Sequence, residues 1–347
     1  MGSFRALVAA LAVTAGVVVP PAPVPVTGPR PELPEVSAQA WIVYDVTGDV
    51  VLAELRSEEI RPMASVTKVM TALVVRDRTD LDERIRISPT AAGVGESEVG
   101  LVSGERWSVR DLLYALLVRS ANDAAVALAE HVAGSTAGFA ELMNEKAAEL
   151  GLTGSAFTNP HGLDEPGHHS SARDLAVLGR VLLQDEILAT MVRTRLVVFK
   201  DAPNGATRIA RNTNRLIGEY PGTAGVKTGF TALAGKVLIS ALETPDRLLV
   251  VVVMGSEDHF ADSRELLEYG EQLVTFEDRW RRPLLLEEGG SGLGDASLDD
   301  ATRARLLAVP PLSSATGGVA ALRDTAAGVV MEQRLRELLP VLLGGGG

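Results

Sequence analysis

Seven apolar residues in a row, 248–254, restrict the fold of this chain more than any other stretch. A run that short and that apolar reads as a strand buried in a sheet. It needs partners, and residues 225–230 and 235–242 supply strand-like runs just before it, with Thr244-Pro245-Asp246 as a turn signal between. Further strand signals lie at the other end of the chain. Residues 38–44 and 50–55 are β-prone and flank Asp45-Val46-Thr47-Gly48-Asp49, which reads as a hairpin, and Ile85 with Ile87 suggests a short strand.

Between these ends the periodicity is helical. Helices are expected over 65–75, from Ser108 as a cap to Arg119, over 123–132, over 137–150 closed by Gly151, over 171–183, and finally over 261–276. Strands at both ends around a helical middle imply an α/β (α+β) arrangement: one antiparallel sheet from N- and C-terminal strands, flanking helices, and an inserted all-helical subdomain.

At the front of the first helix stand Ser65 and Lys68, one turn apart and on one face. A serine hydroxyl becomes a nucleophile when a neighbour takes its proton, and an amine does so only when neutral. Lys68 therefore needs a lowered pKa, which burial against Val66, Met70 and Leu73 and a nearby cation would provide. The chain has 28 Arg against five Lys, at 68, 146, 200, 227 and 236. Arginine holds its proton, so a base position cannot be Arg. Ser-x-x-Lys alone is a weak motif that an ordinary helix can carry.

A net charge of −12 without basic runs argues against nucleic acid as a partner. The absence of cysteine excludes disulfides, thiolate metal sites and lipoprotein attachment. Arg5 followed by about 14 apolar residues to Val19 matches the core of a secretory signal rather than a span of about 20 residues. Residues 1–19 are thus expected to be a signal peptide or N-terminal anchor, and 20–36 a Pro-rich linker. A catalytic domain over 37–276 and a poorly defined tail over 277–347, partly helical or disordered, would follow. The chain is expected to be exported, with membrane association through the N-terminal segment. His161, His168 and His169 fit no standard zinc spacing, so neither metal nor cofactor is expected.

Three motifs occur in order: Ser65-Val66-Thr67-Lys68, Ser120-Ala121-Asn122 and Lys227-Thr228-Gly229. Together they resemble the penicillin-recognising serine acyl transferases with a β-lactamase/transpeptidase-like fold. Ser120-Ala121-Asn122-Asp123-Ala124-Ala125, Asn159-Pro160-His161-Gly162-Leu163, Ser171-Ala172-Arg173-Asp174-Leu175-Ala176 and Lys227-Thr228-Gly229-Phe230-Thr231 narrow the resemblance to the low-molecular-mass D-alanyl-D-alanine carboxypeptidases. The resemblance implies that Ser65 attacks the bond between two terminal D-alanines of a peptidoglycan stem pentapeptide and is acylated by β-lactam antibiotics. It implies Lys68 as base, Ser120 and Asn122 as proton relay and substrate-amide contact, and Lys227 and Thr228 as the carboxylate clamp. Gly229, Phe230 and Thr231 would line the substrate, the first letting its backbone lie close and the Phe230 amide serving as an oxyanion donor beside that of Ser65. His259 falls roughly where such proteins often carry a basic residue.

The same motifs occur in β-lactamases, but the Glu-x-x-Leu-Asn of class A enzymes is absent before Lys227. A D,D-endopeptidase would use the same residues on a longer substrate. A non-catalytic cell-wall binding module would have no reason to keep all three motifs.

Overall fold

The computed structural model describes residues 31–199 and 207–287, with side chains to Thr275. The expected leader, most of the linker, and the tail beyond residue 287 lie outside the described residues.

The strands β1 (Ala40–Asp45) and β2 (Val50–Leu55) form the expected hairpin. Near the other end come β7 (Thr223–Thr231), β8 (Gly235–Glu243) and β9 (Leu248–Ser256). They assemble into one five-stranded antiparallel sheet in the order β2-β1-β9-β8-β7. β9 is therefore central, which is why its valines alternate between two cores. Val250 and Val252 point with Ala40 and Ile42 to one face, while Val251 and Val253 point with Trp41 and Val43 to the other.

The second face is covered by α9 (His259–Glu287), through Leu266, Leu267, Tyr269 and Leu273. This helix continues past the expected end at residue 276, to Glu287. The first face carries the helical body: α1 (Lys68–Arg78), α2 (Pro89–Ala92), α3 (Val109–Tyr114), α4 (Asn122–Ala133), α5 (Thr136–Glu149), α6 (Ala172–Gln184) and α7 (Glu186–Arg193). Ser108 caps α3 as expected, accepting from Asp111 N at 3.0 Å, and α3 runs on to Arg119 as one π-helical turn. Gly151, at φ +70°, follows α5.

The short strand expected around Ile85 and Ile87 is present, and three further strands and a short helix add to the expected elements. β3 (Arg84–Arg86) pairs with β4 (Arg106–Ser108), and β5 (Leu196–Phe199) pairs with β6 (Arg208–Arg211) in a second small ribbon. The short α8 (Leu216–Glu219) then leads into β7. The β5–β6 ribbon is tied to the helical body by Arg208, whose two amines reach the Glu105 carboxylate at 2.8 and 3.0 Å. Among the described residues no helix is long and apolar enough to cross a membrane.

The topology leaves β7 at the edge of the sheet, beside the start of α1. Motifs some 160 residues apart in sequence meet at that edge.

Candidate active site

The helix expected to begin at Ser65 does not. Residues Ala64–Thr67 form a 3-10 turn, and the α-helix starts only at Lys68. The tighter turn follows from Ala64, which sits at φ +51°, a left-handed conformation that a side chain disfavours. Neighbours hold it there. Gly162 (φ +89°) packs so closely that a Cβ would stand 2.0 Å from Ala64 O, and a Cβ on Gly229 would stand 3.0 Å from Ser65 N. Gly229 thus lacks a side chain so that β7 can lie against the Ser65 turn. The place of a Cβ there is taken by Ala64 Cβ, Ser65 N and Met63 O.

Lys68 is fully buried, whereas Ser65 is partly exposed. The amine nitrogen lies 2.9 Å from Ser65 Oγ, 2.8 Å from Asn122 Oδ1 and 2.5 Å from the His161 carbonyl. Burial, then the Lys227 cation, push the Lys68 pKa well below its ordinary value, against the pull of Asp123 and Glu96. A neutral amine has two N–H bonds and one lone pair. Once the amine is neutral, the Asn122 and His161 oxygens can keep its two N–H bonds, which turns the lone pair to Ser65 Oγ, whose own hydroxyl lies 3.5 Å from the His161 carbonyl.

Ser120 stands at φ +66° between the π-helical turn and α4, with Ala121 as the N-cap of α4. Like Asn122 it is buried, and among the described residues its hydroxyl makes no hydrogen bond to Ser65, Lys68 or Lys227. Asp123, next to Asn122, is buried and accepts from Val99 N, Gly100 N and Leu101 N at 2.9–3.2 Å, which pins the 95–101 loop against α4.

On the opposite wall, Lys227 is 1% exposed, and burial pushes its pKa down to about 7. One of its N–H bonds goes to the Thr228 carbonyl at 2.8 Å. The Thr228 hydroxyl donates to Thr213 Oγ1 at 2.6 Å, a partner that no motif in the sequence marked. Phe230 is 68% exposed and Leu233 72%, so the lip of the site is apolar. Thr231 Oγ1 donates to Asp164 at 2.7 Å, linking β7 to the 159–164 loop.

That loop is the part of the site least legible beforehand. Its Asn159 Oδ1 accepts from Gly162 N at 2.7 Å, which folds the turn so that the His161 carbonyl faces Lys68. Burial, with Lys68 and His168 nearby, lowers the His161 pKa to about 4, so its ring is neutral. The turn residues Asn159 to Asp164 were a signal for this loop, but a backbone carbonyl has no signature in sequence. His259 stacks on Phe260 at the start of α9 with its Nδ1 buried and unbonded. No group of three or more His, Cys, Asp or Glu among the described residues is placed to hold a metal.

The arrangement is a nucleophile next to a dry amine whose pKa is pushed well below its ordinary value, a second buried amine, and a backbone amide at a helix start. Comparison with known proteins agrees with its chemistry. A family profile described as D-alanyl-D-alanine carboxypeptidase matches residues 27–258. The D-alanyl-D-alanine carboxypeptidase DacF of Bacillus subtilis is 36% identical over 230 residues, 65% of this chain and 59% of that protein. DacC of Escherichia coli, a D-alanyl-D-alanine carboxypeptidase, is 37% identical over 255 residues, 69% of this chain and 62% of that one. The Streptomyces K15 DD-transpeptidase crystal structure superposes with a TM-score of 0.65 at 27% identity, covering 68% of this chain and 98% of the other. The chain thus spans about three fifths of the length of these two curated relatives.

Proposed function

The chain belongs to the D-alanyl-D-alanine carboxypeptidase family, and from that premise we propose that it is a serine-type D-alanyl-D-alanine carboxypeptidase that trims peptidoglycan stem pentapeptides through a Ser65 acyl-enzyme. The observation that carries this reading is the 2.9 Å approach of a fully buried Lys68 amine to Ser65 Oγ, with the Asn122 and His161 oxygens also within hydrogen-bond distance of that amine.

In the proposed cycle Ser65 Oγ attacks the carbonyl carbon between the two D-alanines as its proton passes to Lys68 Nζ. The carbonyl oxygen becomes negative and is held by the Ser65 N–H and by an amide on β7, assigned to Phe230 by resemblance. The C–N bond breaks, the proton goes to the departing amine with Ser120 at hand, and D-alanine leaves. Water then attacks the ester, giving its proton to Lys68 and returning Ser65. The substrate carboxylate pairs with Lys227, with Thr228 beside it, and Asn122 contacts the peptide amide.

Against a β-lactamase, the loop facing Lys68 offers the His161 carbonyl, which cannot take a proton from water, and Glu165 in the same loop is engaged by Asn159 Nδ2 and Thr158 Oγ1 at 2.9 and 3.0 Å. Acyl-enzyme formed with penicillin should therefore persist. The charged start and apolar run of residues 5–19 support an exported, extracytoplasmic location and membrane association through this segment.

A fluorescent penicillin tests the core of the proposal. Wild type should carry one stable covalent label and Ser65→Ala none; equal labelling of both sinks the acyl-enzyme. D-Alanine released from a pentapeptide, compared with cleavage of a crosslinked dimer and with penicillin turnover, separates carboxypeptidase from endopeptidase and β-lactamase. Label without any D-alanine release would leave a binding module.

A further inference from the structure

A chain of hydrogen bonds approaches the nucleophile from behind. Thr158 N–H donates to His168 Nδ1 at 3.1 Å. That nitrogen is therefore bare and the ring proton sits on Nε2. His168 Nε2 lies 2.7 Å from Thr67 Oγ1, which donates in turn to the Ala64 carbonyl at 2.8 Å. Every proton in the series points the same way, toward Ala64 O. His168 is 6% exposed, Thr67 is fully buried and Ala64 is 1% exposed, so no water competes for these groups. Burial also pushes the His168 pKa down to about 4, which keeps the ring neutral and its tautomer fixed.

Ala64 C=O and Ser65 N–H are the two ends of one peptide group, and a peptide group is planar. Whatever orients the oxygen orients the N–H. A threonine hydroxyl within a helical turn donates readily to the carbonyl three residues back, so the Thr67 bond by itself would be ordinary. What distinguishes it is the second partner. With His168 donating to its oxygen, the hydroxyl has one free direction for its proton, and Ala64, strained at φ +51°, is held by that bond. Donation into the carbonyl also polarises the amide and strengthens its N–H as a donor.

We propose that Thr67 and His168 are positioning residues of the oxyanion site: they fix the plane of the Ala64–Ser65 peptide and aim the Ser65 N–H at the oxygen that becomes negative when Ser65 attacks. They touch no reacting atom. The proposal rests on the acyl-transfer reading above and goes beyond its motifs, since His168 belongs to none of the three.

The test compares acylation rates by a fluorescent penicillin, per folded molecule, with affinity for a boronic acid that forms a tetrahedral adduct on Ser65. Removing one oxyanion donor typically costs about 100- to 1,000-fold; misaiming one should cost less. Thr67→Val and His168→Asn, which is too short to span Thr158 and Thr67, are expected to slow acylation roughly 10- to 100-fold. Boronate affinity should weaken in parallel. Thr67→Ser and His168→Gln, which keep the donors, should remain within about threefold of wild type. Ground-state binding of a D-alanyl-D-alanine peptide, measured in a Ser65→Ala background, should be unchanged in all four. A merely structural role would lower melting temperature without this split between adduct and ground state.

If Thr67→Val does not fold, the His168→Asn and His168→Gln pair decides the matter. Folded His168→Asn acylated at the wild-type rate overturns the positioning role, as does equal weakening of peptide and boronate binding. A wild type that takes no label at all fails the acyl-transfer reading first, and the positioning role falls with it.

Discussion

Gly162→Ala isolates how tightly the loop behind Ser65 is fitted. At φ +89° any side chain is strained, which costs about 1–2 kcal/mol. The added methyl would lie 2.0 Å from Ala64 O, 2.5 Å from Ala64 C and 2.8 Å from Thr67 Oγ1. All three are backbone or buried atoms that cannot swing aside, so the two segments must part by about 1 Å to restore van der Waals contact. Overpacking of this kind adds about 1–3 kcal/mol. We therefore expect a loss of about 2–5 kcal/mol, or a melting temperature lower by about 4–20 °C for a domain of this size. The larger effect should be on rate. The displaced pieces carry the His161 carbonyl, which orients Lys68, and the Ala64–Ser65 peptide, so a shift near 1 Å should slow acylation about 100-fold. Thermal melts and the acylation rate of the folded fraction, measured with a fluorescent penicillin, read the two effects separately. A folded Gly162→Ala protein with wild-type acylation would refute the claim that this contact holds the nucleophile in place.

Lys227 supplies a pH test. Its pKa of about 7 in the empty site must rise when a carboxylate binds, because the pair favours the charged amine. Substrate affinity should therefore be greatest below pH 7 and decline above it, seen as a rising KM; Lys227→Arg, which cannot lose its proton, should flatten that profile. Asp123→Asn weakens three backbone hydrogen bonds, one buried and two part-buried, and should cost about 2–3 kcal/mol in urea melts. The same change removes a carboxylate that raises the Lys68 pKa, so the acid limb of acylation should move to lower pH, and an upward move would contradict the assignment. Arg208→Met leaves Glu105, 8% exposed, without its ion-pair partner and should destabilise by about 3 kcal/mol. Because that pair lies in the ribbon contact and not at Ser65, acylation per folded molecule should be unchanged.

The fold was legible where burial imposed a period. The seven-residue apolar run at 248–254 marked a buried strand, and hairpin residues 50–55 agree with β2 to the residue because a turn signal and β-prone residues both mark them. β5 and β6 escaped because Leu196, Val197 and Val198 are only half-buried and show no alternation, even though Pro203-Asn204-Gly205 between the two strands is a turn signal; α7 buries Leu188, Ala189, Met191 and Val192 at helical spacing, a signal that the expected helices do not include. In the site, side chains with distinctive chemistry could be read from motif order. Contacts made through backbone could not. The His161 carbonyl at Lys68, the closeness of Gly162 to Ala64, and the approach of Gly229 to Ser65 N depend on where loops end up in space. The 3-10 turn at Ser65 belongs to the same class, since Ala64 is a good helix former that only its neighbours force into a left-handed conformation.

The order of strands in the sheet also governs when this protein can come into being. β1 pairs with β9, as in Val43 with Val251, so about 200 residues must be made before the first strand meets its inner neighbour. At about 5–20 residues per second the β1–β2 hairpin waits on the order of 10–40 seconds with Trp41 and Val43 uncovered. Ser65 and Lys68 emerge early as well, yet Lys227, the cation that helps keep Lys68 neutral, arrives only with β7. The nascent chain is therefore without a working base until nearly the whole sheet exists, and such long-range pairing makes closure slow and places it at the end of folding.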